Sequence, residues 1–81
     1  MRVTVLLFSQ MRIQAERDAV ELELPEGAHL ERALSAFYAR HPELRSFAPS
    51  CLVAVGLEYA PADLALKDGD EISIIPPVSG G

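Results

Sequence analysis

The sequence predicts an α+β fold, a mixed sheet packed on one main helix. Three observations carry that reading. Apolar residues alternate with period two at the start of the chain, at 19–24 and at 71–75. One segment between them has the period of a helix. The resulting order is strand, strand, helix, strand, strand, in a chain of 81 residues that suffices for one small domain.

From Arg2 to Phe8, Val3, Val5 and Leu7 share one face, and Thr4, Leu6 and Phe8 share the other. In the segment 19–24, Val20, Leu22 and Leu24 point inward and Glu21 and Glu23 outward. The polar stretch from Gln14 to Asp18 is expected to join these strands as a hairpin connection, although no two-residue turn signature is present. Pro25-Glu26-Gly27 ends the second strand. Leu30, Ala33, Leu34, Phe37 and Tyr38 then form one apolar helix face. Glu31 suits the positive end of that helix, and His41-Pro42 closes it, because the residue before proline is driven out of the α region.

Leu52 to Val55 reads as a strand, Gly56 as a turn, and Glu58-Tyr59 as the way out of it. Leu64, Ala65 and Leu66 are expected to be an irregular connection into the Lys67-Asp68-Gly69-Asp70 turn. Glu71 to Ile75 is the last strand, with Ile72 and Ile74 on one face. Pro76 has no N–H to donate, so pairing is expected to stop there. A first hairpin, a helix crossing the sheet and a closing strand fit the β-grasp architecture, with a domain over 1–75 and a flexible tail over 76–81.

The net charge is −5 and the basic residues are scattered, which argues against binding nucleic acid by neutralising phosphates. It favours a partner that supplies positive charge. No apolar run spans a bilayer and no leader pattern opens the chain, so the expectation is a cytoplasmic protein with no membrane association. The single cysteine, Cys51, excludes an internal disulfide. It begins an apolar strand without a basic neighbour in sequence, so a buried structural thiol is expected. His29, His41 and Cys51 lack zinc-ligand spacing, and no metal is expected. Asp68, Asp70 and Glu71 read as a solvated turn.

The chain ends Ile75-Pro76-Pro77-Val78-Ser79-Gly80-Gly81. A terminal Gly-Gly alone is a weak signal, since two glycines adjoin by chance at roughly 0.5% of positions. Other segments stand with it: Val5-Leu6-Leu7-Phe8 with Met11-Arg12, Leu24-Pro25-Glu26-Gly27, Leu52-Val53-Ala54-Val55 with Glu58-Tyr59, and Leu66-Lys67-Asp68-Gly69-Asp70-Glu71-Ile72. On these residues, over essentially its whole length, the chain resembles the small subunit of molybdopterin synthase (the MoaD family), a ubiquitin-like sulfur carrier. It departs from that family at Ile13, where Glu usually follows the arginine, at Gly56, where Asn is usual, and at His29, where the family offers a capping Thr.

The resemblance implies a subunit that is not catalytic by itself and works within a heterotetrameric sulfurtransferase complex. An adenylating enzyme (MoeB-like) uses ATP to activate the carboxylate of Gly81, a sulfur donor converts the adenylate to a thiocarboxylate, and Gly80 lets the backbone pass a narrow channel. A large synthase subunit (MoaE-like) holds the cyclic pyranopterin monophosphate that receives the sulfur. No stably bound cofactor is implied. Alternation places Phe8 and Ile75 on the sheet face away from the core, with Tyr59 nearby, and in the resembling family the equivalent surface docks both partners. Pro76, Pro77 and Val78 continue that contact, and Arg12 is either an ion-pairing group at its rim or solvated. Rival readings are a carrier for thiamine thiazole or tRNA thiolation, and a ubiquitin-like protein modifier.

Overall fold

A computed structural model of the chain describes residues 1–77. Among the described residues, five strands form one mixed sheet: β1 (Arg2–Leu7), β2 (Ala19–Glu23), β3 (Leu52–Val55), β4 (Glu58–Tyr59) and β5 (Glu71–Ile75), in spatial order β2-β1-β5-β3-β4. β1 pairs antiparallel with β2 and parallel with β5, and β3 pairs antiparallel with both β5 and β4. The first and last strands are therefore neighbours at the centre of the sheet, the β-grasp arrangement expected from the element order.

The alternation translates directly into burial. Val3, Val5 and Leu7 of β1, Val20 and Leu22 of β2, and Ile72 and Ile74 of β5 face one side and form the core. The helix α2 (Leu30–Arg40) lies on that side and buries Leu30, Ala33, Phe37 and Tyr38 against them. Its start has Glu31 in the first turn, but His29 at the cap makes no side-chain bond to the helix, in keeping with histidine's absence from the favoured capping residues. The helix ends where proline was expected to end it, at Arg40, with His41 out of helical geometry before Pro42.

Two elements differ from the sequence expectation. The connection between the first two strands is not a loop over Gln14 to Asp18. It contains a helix, α1 (Ser9–Ala15), which inserts a fully buried Met11 into the core. Glu16 closes α1 in the left-handed conformation at φ 58°, with Glu16 N–H donating to the Ile13 carbonyl and Arg17 N–H to the Arg12 carbonyl. That is a Schellman closure carrying Glu where Gly is favoured. The second element is a 3₁₀ segment over Pro42–Ser50, which carries buried Leu44 and returns the chain to β3.

The Lys67–Asp70 turn is exposed, as expected, but its carboxylates are engaged. Asp68 Oδ1 accepts from the Arg2 amide at 2.7 Å, and Asp70 Oδ2 accepts from the Lys67 amide at 2.8 Å. Gly69 supplies the positive φ of 88° that the turn needs. The turn thus clamps the start of β1 to the start of β5. No helix among the described residues is long and apolar enough to cross a membrane.

Candidate functional site

Among the described residues the helices cover one face of the sheet, and the other face stays open. Strand registers place its side chains in rows. Ala19, Leu6, Ser73, Ala54 and Tyr59 stand in line across all five strands. The row toward the N-terminal end of β1 is polar: Thr4 lies between Glu21 and Glu71. Beyond it, Arg2 binds Glu23 through a 2.8 Å ion pair, and that carboxylate raises the pKa of the guanidinium. The row at the opposite end is apolar. Leu52 opposes Ile75, and one further step of the β1–β5 register sets Phe8 beside Ile75. Phe8 is in extended conformation at the cap position of α1, which carries its side chain to the end of the strand rather than into the helix.

Phe8 is 40% exposed, Leu52 55% and Tyr59 71%, while Ile75 is half-buried between its neighbours. In the adjoining row Leu6 and Tyr59 share the same face, with Ser73 and the buried Ala54 between them. Single exposed apolar side chains are ordinary, but a contiguous group on an open sheet marks an interaction surface. The faces of Phe8 and Ile75 were legible from alternation, and Tyr59 was expected near them without an assigned face. Leu52 was not, because its face depends on its register against β5, a pairing between distant segments.

Arg12 projects from α1 beside the patch. It shares a shallow depression with Leu6, Leu7, Phe8 and Asp18, and its Nη1 lies 3.8 Å from Asp18 Oδ1. Both partners are exposed, so the pair holds Arg12 weakly at the edge of the apolar patch. Pro76 is buried behind Ile75, and Pro77 is exposed. Val78, Gly80 and Gly81, for which the family resemblance implies contact and chemistry, lie outside the described residues.

Cys51 is partly buried between the 3₁₀ segment and β3, with its Sγ 3.7 Å from Met11 Sδ. Burial pushes the thiol pKa up, which keeps it protonated and a poor nucleophile at neutral pH. Among the described residues no group of three or more His, Cys, Asp or Glu side chains gathers as for a metal ion. The described surface therefore has the means to dock a partner, with the last strand leading from the docking patch toward the C-terminus.

The sequence profile of the ThiS family matches residues 5–81. The molybdopterin synthase sulfur carrier subunit of Chlamydomonas reinhardtii is 46% identical, with both chains covered completely. Among solved structures, a small archaeal modifier protein from Haloferax volcanii superposes with a TM-score of 0.91 at 29% identity over 100% of both chains. A complex of subunits 1 and 2 of the molybdopterin-converting factor from Helicobacter pylori contains a chain that matches with a TM-score of 0.72 at 27% identity, again over 100% of both. With its β-grasp sheet, its open apolar face and this full-length similarity, the chain belongs to the ThiS family, among relatives that are sulfur carrier subunits of molybdopterin synthase.

Proposed function

We propose that this chain is the sulfur carrier subunit of a molybdopterin synthase and acts in the cytoplasm through its C-terminal carboxylate. The observation that carries the reading is continuity. The apolar end of the open face, Phe8, Ile75 and Leu52, lies at the end of the sheet where β5 finishes and the sequence continues to Gly80-Gly81. A partner seated on the patch is thereby placed to receive the terminus. The Helicobacter pylori subunit pair supports a large synthase subunit as that partner.

The Gly81 carboxylate attacks the α-phosphorus of ATP on an activating enzyme, giving the acyl-adenylate and pyrophosphate. Hydrosulfide then attacks the acyl carbon and expels AMP. With hydrosulfide the products are the thiocarboxylate, AMP and a proton. Adenylation is needed because a carboxylate oxygen is a poor leaving group and a phosphate ester is a good one. The thiocarboxylate sulfur next adds to an electrophilic carbon of the pyranopterin precursor, a carbon–oxygen bond at that carbon breaks and its oxygen leaves as water, and hydrolysis of the resulting thioester leaves the sulfur on the pterin and returns the Gly81 carboxylate. Acid–base groups for that transfer come from the large subunit.

Mass spectrometry of the chain after incubation with an activating enzyme, ATP and sulfide tests this reading. The expected product has lost one oxygen and gained one sulfur at Gly81. An unchanged mass overturns it. Similarity to the archaeal modifier favours one second reading, attachment of Gly81 to lysines of other proteins. Conjugates that survive a denaturing gel distinguish that outcome from a free thiocarboxylate.

A further inference from the structure

The paired strand ends at Ile75, but the chain does not leave the domain there. Pro76 continues the inward alternation of Ile72 and Ile74 and is buried, whereas Pro77 is exposed. Both border a cleft of about 380 Å³ whose other walls are Ser9 and Gln10 of α1 and Ser46, Phe47 and Ser50 of the 3₁₀ segment. Neither proline has an N–H, so no donated ladder bond can set the chain's direction at this point. Packing must set it. Phe47 is the large apolar side chain on the cleft, and it is itself packed against the core. Ser9, on the α1 side, holds φ at 51°, a conformation that costs a residue with a side chain and persists where the surroundings over-determine it.

We propose that this cleft aims the C-terminal segment: Phe47 is a positioning residue that clamps Pro76, so that Pro77 is the first residue free to choose a direction. The proposal rests on the carrier reading above for its consequence, not for its geometry. A terminus that must enter a partner's site loses orientational freedom on entry. Fixing the root of the tail beforehand removes part of that loss from the binding step. Sequence alternation could not have found Phe47, because it lies in an irregular segment whose approach to Pro76 depends on the whole fold.

The test uses the full chain as its thiocarboxylate, titrated into the large synthase subunit with cyclic pyranopterin monophosphate, with molybdopterin as the readout. Phe47→Ala and Pro76→Ala are each expected to raise KM for the carrier about ten-fold, the cost of one additional free backbone residue, with kcat held within about two-fold. Phe47→Leu restores most of the loss. The double variant is no worse than the weaker single, because both remove one contact. Unchanged KM in Pro76→Ala, or additive losses in the double variant, overturns the proposal.

A second readout is independent of any partner. Carbon relaxation at the Pro76 Cα gives an order parameter near about 0.85 in the unaltered chain, and below about 0.6 in Phe47→Ala. An order parameter that stays high overturns the clamp whatever the protein carries. Where Phe47→Ala does not fold, Pro76→Ala supplies the comparison, read at the Cα of residue 76. A chain that passes the relaxation test but forms no thiocarboxylate removes the carrier reading and leaves the clamp standing.

Discussion

Leu52 lies directly opposite Ile75 in the antiparallel β3–β5 ladder, and the parallel β1–β5 register, extended one step, sets Phe8 on the other flank of Ile75. Three strands thus contribute to one apolar end of the open face. Phe8 and Leu52 are the exposed members and Ile75 the half-buried one between them. Replacing an exposed member is therefore expected to change what the sheet can bind more than whether it folds.

For Phe8→Asp the expected outcome is a loss of affinity for the large synthase subunit of roughly ten- to a hundred-fold, the value of burying one large apolar side chain. The position also caps α1 without a side-chain bond. Aspartate is among the best capping residues and offsets part of the packing lost. Tm is expected to move by no more than about 5 °C. Leu52→Asp follows the same pattern without the compensating cap. Calorimetric titration and a thermal melt on each variant check the split, and a melt that collapses while affinity holds assigns these residues to the core instead.

The sheet and α2 were legible because their periodicities are long and clean: Val3, Val5 and Leu7 alternate, and Leu30, Ala33, Phe37 and Tyr38 repeat at helical spacing. The helix α1 was not. It spans seven residues, only Met11 in it is fully buried, and it starts at a positive φ on Ser9, so neither composition nor period distinguishes it from a polar loop. The 3₁₀ segment hides for a similar reason, with one buried residue, Leu44, and a proline inside it. At the site, the strand-borne residues Phe8 and Ile75 followed from local alternation, whereas Leu52 and Phe47 required knowing which distant segments meet.

Glu16 offers a test of local strain. It adopts φ 58° to close α1, and its amide and that of Arg17 complete the Schellman bonds. A β-carbon in that region costs about 1–2 kcal/mol. Glycine removes the cost but gains freedom in the unfolded chain, which returns part of it. Glu16→Gly is expected to stabilise the domain by about 0.5–1 kcal/mol, read as a higher urea midpoint at unchanged m-value. A lower midpoint shows that the glutamate side chain has a stabilising contact that outweighs the strain.

Tyr38 is expected to make stability fall in alkali. Its buried ring meets Phe37 edge-on, with centroids 5.0 Å apart at 73°. Burial, and secondarily the negative charge Cys51 acquires at high pH, pushes the phenol pKa from 10.0 up to about 12. Below the first value both folded and unfolded chains hold the proton, and this group contributes no pH dependence. Between the two values the native state holds a proton that the unfolded state has released, so stability decreases as pH rises. Tyr38→Phe is expected to flatten the stability curve across that interval, measured by urea unfolding at a series of pH values. An equally steep curve in the variant assigns the alkaline loss to other groups.

Deleting Gly81 separates docking from chemistry. The truncated chain keeps Phe8, Leu52, Tyr59 and Ile75, so binding to the large subunit is expected to stay within about three-fold of the intact chain, a difference under 1 kcal/mol. The new terminal carboxylate on Gly80 falls short by one residue, about 3.3–3.6 Å of extended chain. A displacement of even 1 Å from a productive geometry costs on the order of a hundred-fold in rate. Adenylation, followed as pyrophosphate release in the presence of the activating enzyme, is therefore expected to fall by at least that factor while Tm is unchanged. Replacing Gly81 by Ala keeps the length and adds only a β-carbon, so it isolates reach from width. Recovery of adenylation in Gly81→Ala identifies reach as the limiting property, and continued loss identifies the narrowness of the partner's channel. A truncated chain that is adenylated at the normal rate removes Gly81 from the mechanism.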